Sequence, residues 1–317
     1  MKRLTRSETA RFLLEHDNYL ILSHRRPDGD TTGSAAALCL GLRQLGKTAF
    51  VLENKEVSQR FRWLHEGLTK SAPEGNETVV STDVASPSML PEAFQPLLGR
   101  IALRIDHHGS ATSFTDAELV DPHSASCAEL IWDVLSLMDV QADQKIAEAV
   151  YVGTSTDTGC FRYSNTTAHT FETAAVCARA GARIYELNQE LFETNTLGRL
   201  KMQGWIVEHM RMLRGGSMCI CPIPRQVEQE MGVTGDDMDN ISSFPRTVAG
   251  VRMAATLREA ENGVVKLSVR AIPGYDATKV TVPFGGGGHK GAAGGTIKLP
   301  LQEAAQAVER IMLEIAP

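Results

Sequence analysis

Four short apolar runs limit what this chain can fold into: "NYLILS" (18–23), "TAFVLEN" (48–54), "ETVVSTD" (77–83) and "RIALRID" (100–106). Each has strand length, and each is rich in β-branched or apolar residues. The first leads directly into a helical pattern, with Ala35, Leu38, Cys39 and Leu42 on one face. Strands alternating with helices predict a largely parallel sheet covered by helices, an α/β architecture. In "SASCAELIWDVLSLMD", Ser126 and Glu129 form a capping-box pattern ahead of Leu130, Ile131, Val134, Leu135 and Met138, and helices dominate from there to about Leu213.

Beyond that point the character changes. "SMCICPIP", "TVAGVRMAATLREA" and "GVVKLSVRAIP" read as strands, and a last helix carries Ala304, Val308, Ile311, Met312 and Ile315 on one face. A second, smaller α/β domain is expected, with domains at 1–191 and 202–317. The linker at 192–201 is marked by Gly198 in "FETNTLGRLK".

Composition narrows the function. A net charge of -6 argues against gripping long nucleic acid by its phosphates. No apolar run reaches membrane-span length, and the amino terminus is charged and lacks a signal-peptide core, so a cytoplasmic protein with no membrane partner is expected. The six cysteines lack paired spacing and read as reduced packing thiols, Cys219 and Cys221 on a strand among them.

The strand ends carry chemistry. His24, Asp28 and Asp30 follow the first run, where Pro27 and Gly29 turn the chain. Asp83 closes the third run, and Asp106, His107 and His108 close the fourth. In parallel strands these ends share one edge of the sheet. Asp157 joins them from "GTSTDTGCFRYSNTT", after the helix "QKIAEAVYVG". Any one such aspartate is more often a helix cap or turn residue. Four segments aimed at one place are better explained as oxygen and imidazole ligands for manganese or magnesium. In "VPFGGGGHKGAAGG", Val282 and Phe284 argue against a flexible linker, and Ala292 with Ala293 reads as the start of a helix. Gly285, Gly286, Gly287 and Gly288 let backbone amides approach an anion, with His289 and Lys290 adding charge beside that helix start.

"HRRPDGDTTGS", the aspartate of "VVSTD", "RIDHHGS" and "STDTGCFRYSNTT" resemble the four ordered motifs of the DHH phosphoesterase superfamily. "FGGGGHKGAAGG" resembles the signature of its carboxyl-terminal DHHA1 domain. The two-domain layout most resembles the nanoRNase or oligoribonuclease group, which also dephosphorylates 3'-phosphoadenosine 5'-phosphate. The resemblance implies a parallel-sheet DHH domain, a DHHA1 substrate domain and an active site in the cleft between them. It also implies two Mn2+ ions, with Mg2+ as the substitute. One is held by His24, Asp28 and Asp83, the other by Asp30, Asp83, His107 and Asp157. Asp106 would fix a histidine ring, His108 would touch the reacting phosphate, and Arg270, Gly285 to Gly288 and His289 would hold the substrate, with Arg258 a weaker candidate on the same surface. The implied reaction is metal-assisted hydrolysis, without a protein nucleophile, of very short RNA to 5'-mononucleotides or of the 3'-phosphate of 3'-phosphoadenosine 5'-phosphate. The alternatives are a phosphodiesterase for linear or cyclic dinucleotides and a catalytically silent nucleotide sensor. A short RNA or nucleotide is the expected partner, long nucleic acid is not, and a homodimer is compatible with the sequence.

Overall fold

The computed structural model describes residues 2–109, 112–235, 237–238, 240–261 and 263–315, so Ser110 of "RIDHHGS" lies outside the described residues. The chain divides into two compact units, Met1–Thr194 and Asn195–Pro317.

In the first unit the described residues form a seven-stranded sheet. Its strands are β1 (Lys2–Arg3), β2 (Tyr19–Leu22), β3 (Ala49–Leu52), β4 (Thr69–Lys70), β5 (Thr78–Thr82), β6 (Ile101–Asp106) and β7 (Ala117–Val120). They lie in the order β1-β7-β6-β5-β2-β3-β4, and every pairing is parallel. The helices are α1 (Arg6–Glu15), α2 (Gly29–Gln44), α3 (Cys127–Ser136), α4 (Gln144–Asp157), α5 (Ala168–Arg179) and α6 (Ile184–Asn188). Alternation along β2 explains the layering: Tyr19 and Ile21 pack with the residues of α2, α3 and α4, while Leu20 and Leu22 pack with Leu90, Phe94 and Leu97.

Helices α2 and α4 touch through glycines. A Cβ on Gly33 would sit 2.3 Å from the Ala149 carbonyl oxygen, and one on Gly153 would sit 2.4 Å from the Ala128 Cβ and 2.9 Å from Asp30 Oδ1. This close approach brings the start of α2 against the end of α4.

The second unit contains α7 (Leu197–His209), β8 (Arg211–Leu213), β9 (Met218–Ile223), α8 (Arg225–Glu230), β10 (Met253–Glu259), β11 (Val265–Ala271), α9 (Thr278–Thr281), β12 (Gly287–Gly288), β13 (Ala292–Ile297) and α10 (Leu301–Glu314). Its sheet runs β12-β13-β11-β10-β9-β8, and only β9 and β10 are parallel. Ala304, Val308 and Met312 of α10 seal it against Ile220, Leu257 and Val269. Cys219 and Cys221 are buried on β9, and all six cysteines are free thiols. Among the described residues no helix is long and apolar enough to cross a membrane.

The expected helix at Ala292 and Ala293 is a strand instead. Ala292 and Ala293 pair with Arg270 and Val269 of β11 on one side, and Ala293 pairs with Gly288 of β12 on the other. Ladder bonding on both sides outweighs the modest helix preference of alanine. The glycines make the pairing possible, because a Cβ on Gly286 would sit 2.4 Å from the Gly294 carbonyl oxygen. His289 and Lys290 therefore occupy a hairpin, not the approach to a helix.

The two kinds of glycine predict opposite responses to alanine. Gly153→Ala should cost about 1–3 kcal/mol through overpacking. Gly204→Ala should stabilise by about 0.5–1 kcal/mol, since Gly204 lies inside α7 with nothing within 4 Å of the new methyl group. Urea unfolding midpoints of both variants check this; a neutral Gly153→Ala would remove the close-packing argument.

Candidate metal centre

The path of the sheet places the site. From β2 the chain moves to β3 and β4 on one side, then returns so that β5, β6 and β7 extend the other side. The carboxyl ends of β2 and β5 flank this switch in direction, where parallel sheets open a crevice. His24, Asp28 and Asp30 follow β2, Asp83 follows β5, and Asp106 to His108 finish β6.

Asp157 arrives differently from the sequence expectation, as the last residue of α4 and not in a loop after a shorter helix. The Thr156 hydroxyl donates to the Val152 carbonyl at 2.7 Å, and the Thr158 hydroxyl to the Thr154 carbonyl at 2.6 Å. The helix runs past Gly153 with these hydroxyls satisfied by its own carbonyls. The chain then passes through Gly159, Cys160 and Phe161, all left-handed with φ of 57°, 58° and 61°. Such consecutive strain is tolerated where surroundings fix the backbone.

The predicted ligands of this unit converge. His24 Nε2 lies 3.6 Å from Asp83 Oδ2 and 3.9 Å from Asp28 Oδ1. His107 Nε2 lies 3.6 Å from each of Asp30 Oδ2, Asp83 Oδ1 and Asp157 Oδ2. The two oxygens of Asp83 thus face two different imidazoles. Two clusters, His24–Asp28–Asp83 and Asp30–His107–Asp157, each keep their donor atoms within 4.8 Å of one another, and a third joins Asp83, His107 and His108. Atoms sharing one ion at about 2.0–2.2 Å stand roughly 3–3.6 Å apart, close to these separations and too far for hydrogen bonds.

Surrounding bonds aim the ligands. His24 Nδ1 meets the Arg25 carbonyl at 2.7 Å and His107 Nδ1 meets the Ser124 carbonyl at 3.3 Å. A carbonyl can only accept, so both rings carry Nδ1–H, which leaves Nε2 as the nitrogen available to a metal. The Thr31 hydroxyl donates to Asp83 Oδ2 at 2.6 Å, and Asp30 accepts from the amides of Cys127 and Ala128 at 2.7 and 2.8 Å. Asp28 also caps α2, accepting from the Thr31 amide at 3.0 Å, so here the ordinary capping role and the cluster coincide. His108 Nδ1 lies 2.8 Å from Asp106 Oδ1, making His108 the ring that Asp106 fixes.

The donor set fits divalent cations. Asp83, 2% exposed and in the left-handed region at φ 59°, has an Oδ1 without any hydrogen-bond partner among the described residues. A buried carboxylate oxygen left this way is costly unless a cation meets it. Charges alone leave the cluster under tension. Burial opposes the Asp83 carboxylate, but the adjacent His24 imidazole and the charges of His107 and His108 hold it down to about 2. Burial and the neighbouring Asp83 and Asp28 push Asp157 up to about 7. Burial opposes a charged His24, yet the adjacent carboxylates of Asp83 and Asp28 raise it to about 9. Cations at the clusters relieve this, so manganese at about 100 times its dissociation constant should stabilise the protein by about 2.7 kcal/mol. A thermal shift reversed by chelator checks it; an unchanged melting temperature at millimolar manganese would count against the site.

The expected substrate residues belong to the second unit. Arg270 and His289 flank Ala292: Arg270 is its partner across the β11–β13 ladder, and the His289 amide donates to the Ala292 carbonyl at 2.8 Å. Gly285 has φ 72° and Gly288 φ 138°, conformations open mainly to glycine. Arg258 is otherwise engaged, holding Glu228 through two bonds of 2.8 and 2.9 Å. Sequence reasoning missed Thr31, Ser124 and Asn165, which act on ligands through hydrogen bonds. Thr31 alone had a signal, its position one residue after Asp30.

Residues 18–154 match the model of the DHH family, N-terminal domain, and residues 199–314 match that of the DHHA1 domain. A Thermus thermophilus protein named bifunctional oligoribonuclease and PAP phosphatase NrnA is 32% identical over 92% of this chain and 87% of its own length. The chain belongs to the DHH family. Another DHH relative of the same name, from Bacillus subtilis, is 25% identical over 92% of this chain and 93% of its own. The DHH fold is shared with an exopolyphosphatase-related protein of Bacteroides fragilis, whose crystal structure aligns with a TM-score of 0.84 at 20% identity, covering 98% of this chain and 96% of that one.

Proposed function

We propose that this DHH protein is a two-metal phosphoesterase that hydrolyses very short oligoribonucleotides to 5'-mononucleotides and removes the 3'-phosphate of 3'-phosphoadenosine 5'-phosphate. The observation that carries the reading is Asp83, whose two oxygens face His24 and His107 within two ligand clusters. The names of the relatives, oligoribonuclease and PAP phosphatase, support the substrate class. His24, Asp28 and Asp83 hold one ion, and Asp30, Asp83, His107 and Asp157 the second. Manganese is the metal proposed, with magnesium as substitute. Bound divalent ions supply acidified water and neutralise phosphoryl oxygens.

The protein's own groups do the rest. The Thr31 hydroxyl is committed to Asp83, and in this reading the carboxylates and imidazoles of the clusters serve as metal ligands or contact the phosphate. Water is therefore the attacking species. Burial opposes a charged His108, but Asp106, which accepts its Nδ1–H, and Asp83 raise that ring to about 9, so Nε2–H remains to donate to a phosphoryl oxygen. In the second unit, Arg270, the glycine hairpin and His289 are the proposed substrate-binding residues, the backbone amides and the Arg270 guanidinium suited to an anion. A phosphate on a 3'-oxygen is common to both substrates, so one bond cleavage serves both.

The deciding assay compares RNA of two to four nucleotides, 3'-phosphoadenosine 5'-phosphate, linear and cyclic dinucleotides, pyrophosphate and long single-stranded RNA, all with manganese. Efficiency should peak on the shortest RNA and fall by roughly tenfold or more on the long strand, because an acidic chain gains little from extra phosphates. Turnover of pyrophosphate alone, or equal efficiency on dinucleotide and long strand, would overturn the reading.

A further inference from the structure

One segment, residues 124–129, holds all three members of the Asp30–His107–Asp157 cluster. Asp30 accepts from the Cys127 and Ala128 amides at the start of α3. His107 donates Nδ1–H to the Ser124 carbonyl. Asp157 is reached through Asn165, whose side-chain amide donates to the Ala125 carbonyl at 2.9 Å and to the Asp157 carbonyl at 3.2 Å. The part of this segment outside the helix, Ser124 and Ala125, needs a fixed point. Glu129 supplies one: its Oε1 accepts from the Ala125 amide at 3.1 Å and, 3.2 Å from the Ser124 hydroxyl, shares that proton with the Ser126 carbonyl at 2.9 Å.

Helix capping does not account for this carboxylate. The cap is already made by the Ser126 hydroxyl, which accepts from the Glu129 amide at 3.0 Å. In the capping box expected from the sequence, the Glu129 side chain would return to the amide of Ser126; it reaches the amide of Ala125 instead. Glu129 is 2% exposed, and its Oε2 has no hydrogen-bond partner among the described residues, so the carboxylate bears a desolvation cost that the cap alone does not justify.

We infer that Glu129 is a positioning residue for the ion held by Asp30, His107 and Asp157, an inference that rests on the metal reading above. By fixing Ser124 and Ala125, it sets the direction of the Ser124 carbonyl and of the Asn165 brace. The carbonyl decides which nitrogen of His107 carries the proton, and the brace sets where the end of α4 places Asp157. The other cluster, His24 with Asp28 and Asp83, makes no hydrogen bond to this segment among those described.

The test is manganese binding by the full chain, followed by the electron paramagnetic resonance of free Mn2+ and by calorimetry, in the parent and in Glu129→Ala, Glu129→Gln and Asn165→Ala. Glu129→Ala should weaken one of two ions by about 10–100-fold, the usual effect of losing a group that orients ligands. The other ion should keep its affinity, and kcat should recover as manganese is raised while KM for a dinucleotide stays put. Glu129→Gln, whose amide oxygen can accept the same two bonds, should restore the second ion to within about threefold. Asn165→Ala should weaken that same ion, and the double change with Glu129→Ala should be less than additive. Unaltered binding of both ions in Glu129→Ala, or a loss in Glu129→Gln equal to that in Glu129→Ala, would overturn the inference. A parent protein that binds fewer than two ions would instead remove the metal reading. Should Glu129→Ala fail to fold by circular dichroism, Glu129→Asp, with its oxygen withdrawn by one methylene, replaces it with the same expected loss.

Discussion

Asp83→Asn removes both ions together and lowers turnover by about 10³-fold or more, a larger loss than any other ligand change should produce. The reason is geometric, since Asp83 alone offers one oxygen to each side, at 3.6 Å from His24 Nε2 and 3.6 Å from His107 Nε2. Asparagine keeps the shape and tolerates the left-handed φ of 59°, so the fold survives. It carries no charge and only one acceptor oxygen, which the Thr31 hydroxyl already claims. Asp28→Asn, by contrast, touches only the His24 cluster, through a side chain that is 59% exposed. Bound manganese and turnover measured in parallel decide the matter. Two tightly held ions with near-parental rates in Asp83→Asn would end the bridging assignment.

The second large effect concerns stability. Arg104→Met should cost about 3–5 kcal/mol, because it leaves the buried Glu118 carboxylate with only the Ser113 hydroxyl at 2.7 Å and the exposed Arg3 at 3.7 Å. Arg104 on β6 and Glu118 on β7 are partners across the sheet, 1% and 0% exposed, and joined at 2.7 Å. The guanidinium also donates to the Thr112 carbonyl at 2.8 Å and stacks 4.8 Å from the Phe114 ring centre. It thereby ties down the chain that follows His107 and His108. At about 2–4 °C per kcal/mol for a unit of this size, melting should fall by roughly 6–20 °C. Arg104→Met with Glu118→Leu should recover much of the loss, since a well-packed apolar pair often equals a buried ion pair. Equal melting temperatures for the single and double variants would refute that account.

Most of the site was legible because its ligands sit at strand ends, where sequence pattern and position in space are tightly linked. "YLIL", "VVST" and "IALRID" are followed within two residues by His24, Asp83 and His107, and a parallel sheet aligns such ends whatever the loops do. Asp157 lay at a helix end, and its run of threonines reads as loop because the hydroxyls' return to the helix carbonyls leaves no trace in periodicity. Ala292 and Ala293 misled for a related reason: alanine favours a helix locally, whereas the two flanking ladders that make β13 a strand come from residues 265–271 and 287–288. Glu129 was visible only as part of a cap. Its effect on His107 runs through the carbonyl of Ser124, and a main-chain atom has no residue type to betray it.

The distribution of ligands along the chain, from His24 to Asp157, has a kinetic consequence. The first cluster closes once β2 and β5 have paired, but the second waits for β6, α3 and the far end of α4. Contacts of such long sequence separation form late, after most loop-closure entropy has been met. The proposed second ion should therefore have almost no purchase on the folding transition state. Its influence should fall on escape from the native state, lengthening the lifetime of the finished protein without hastening its formation.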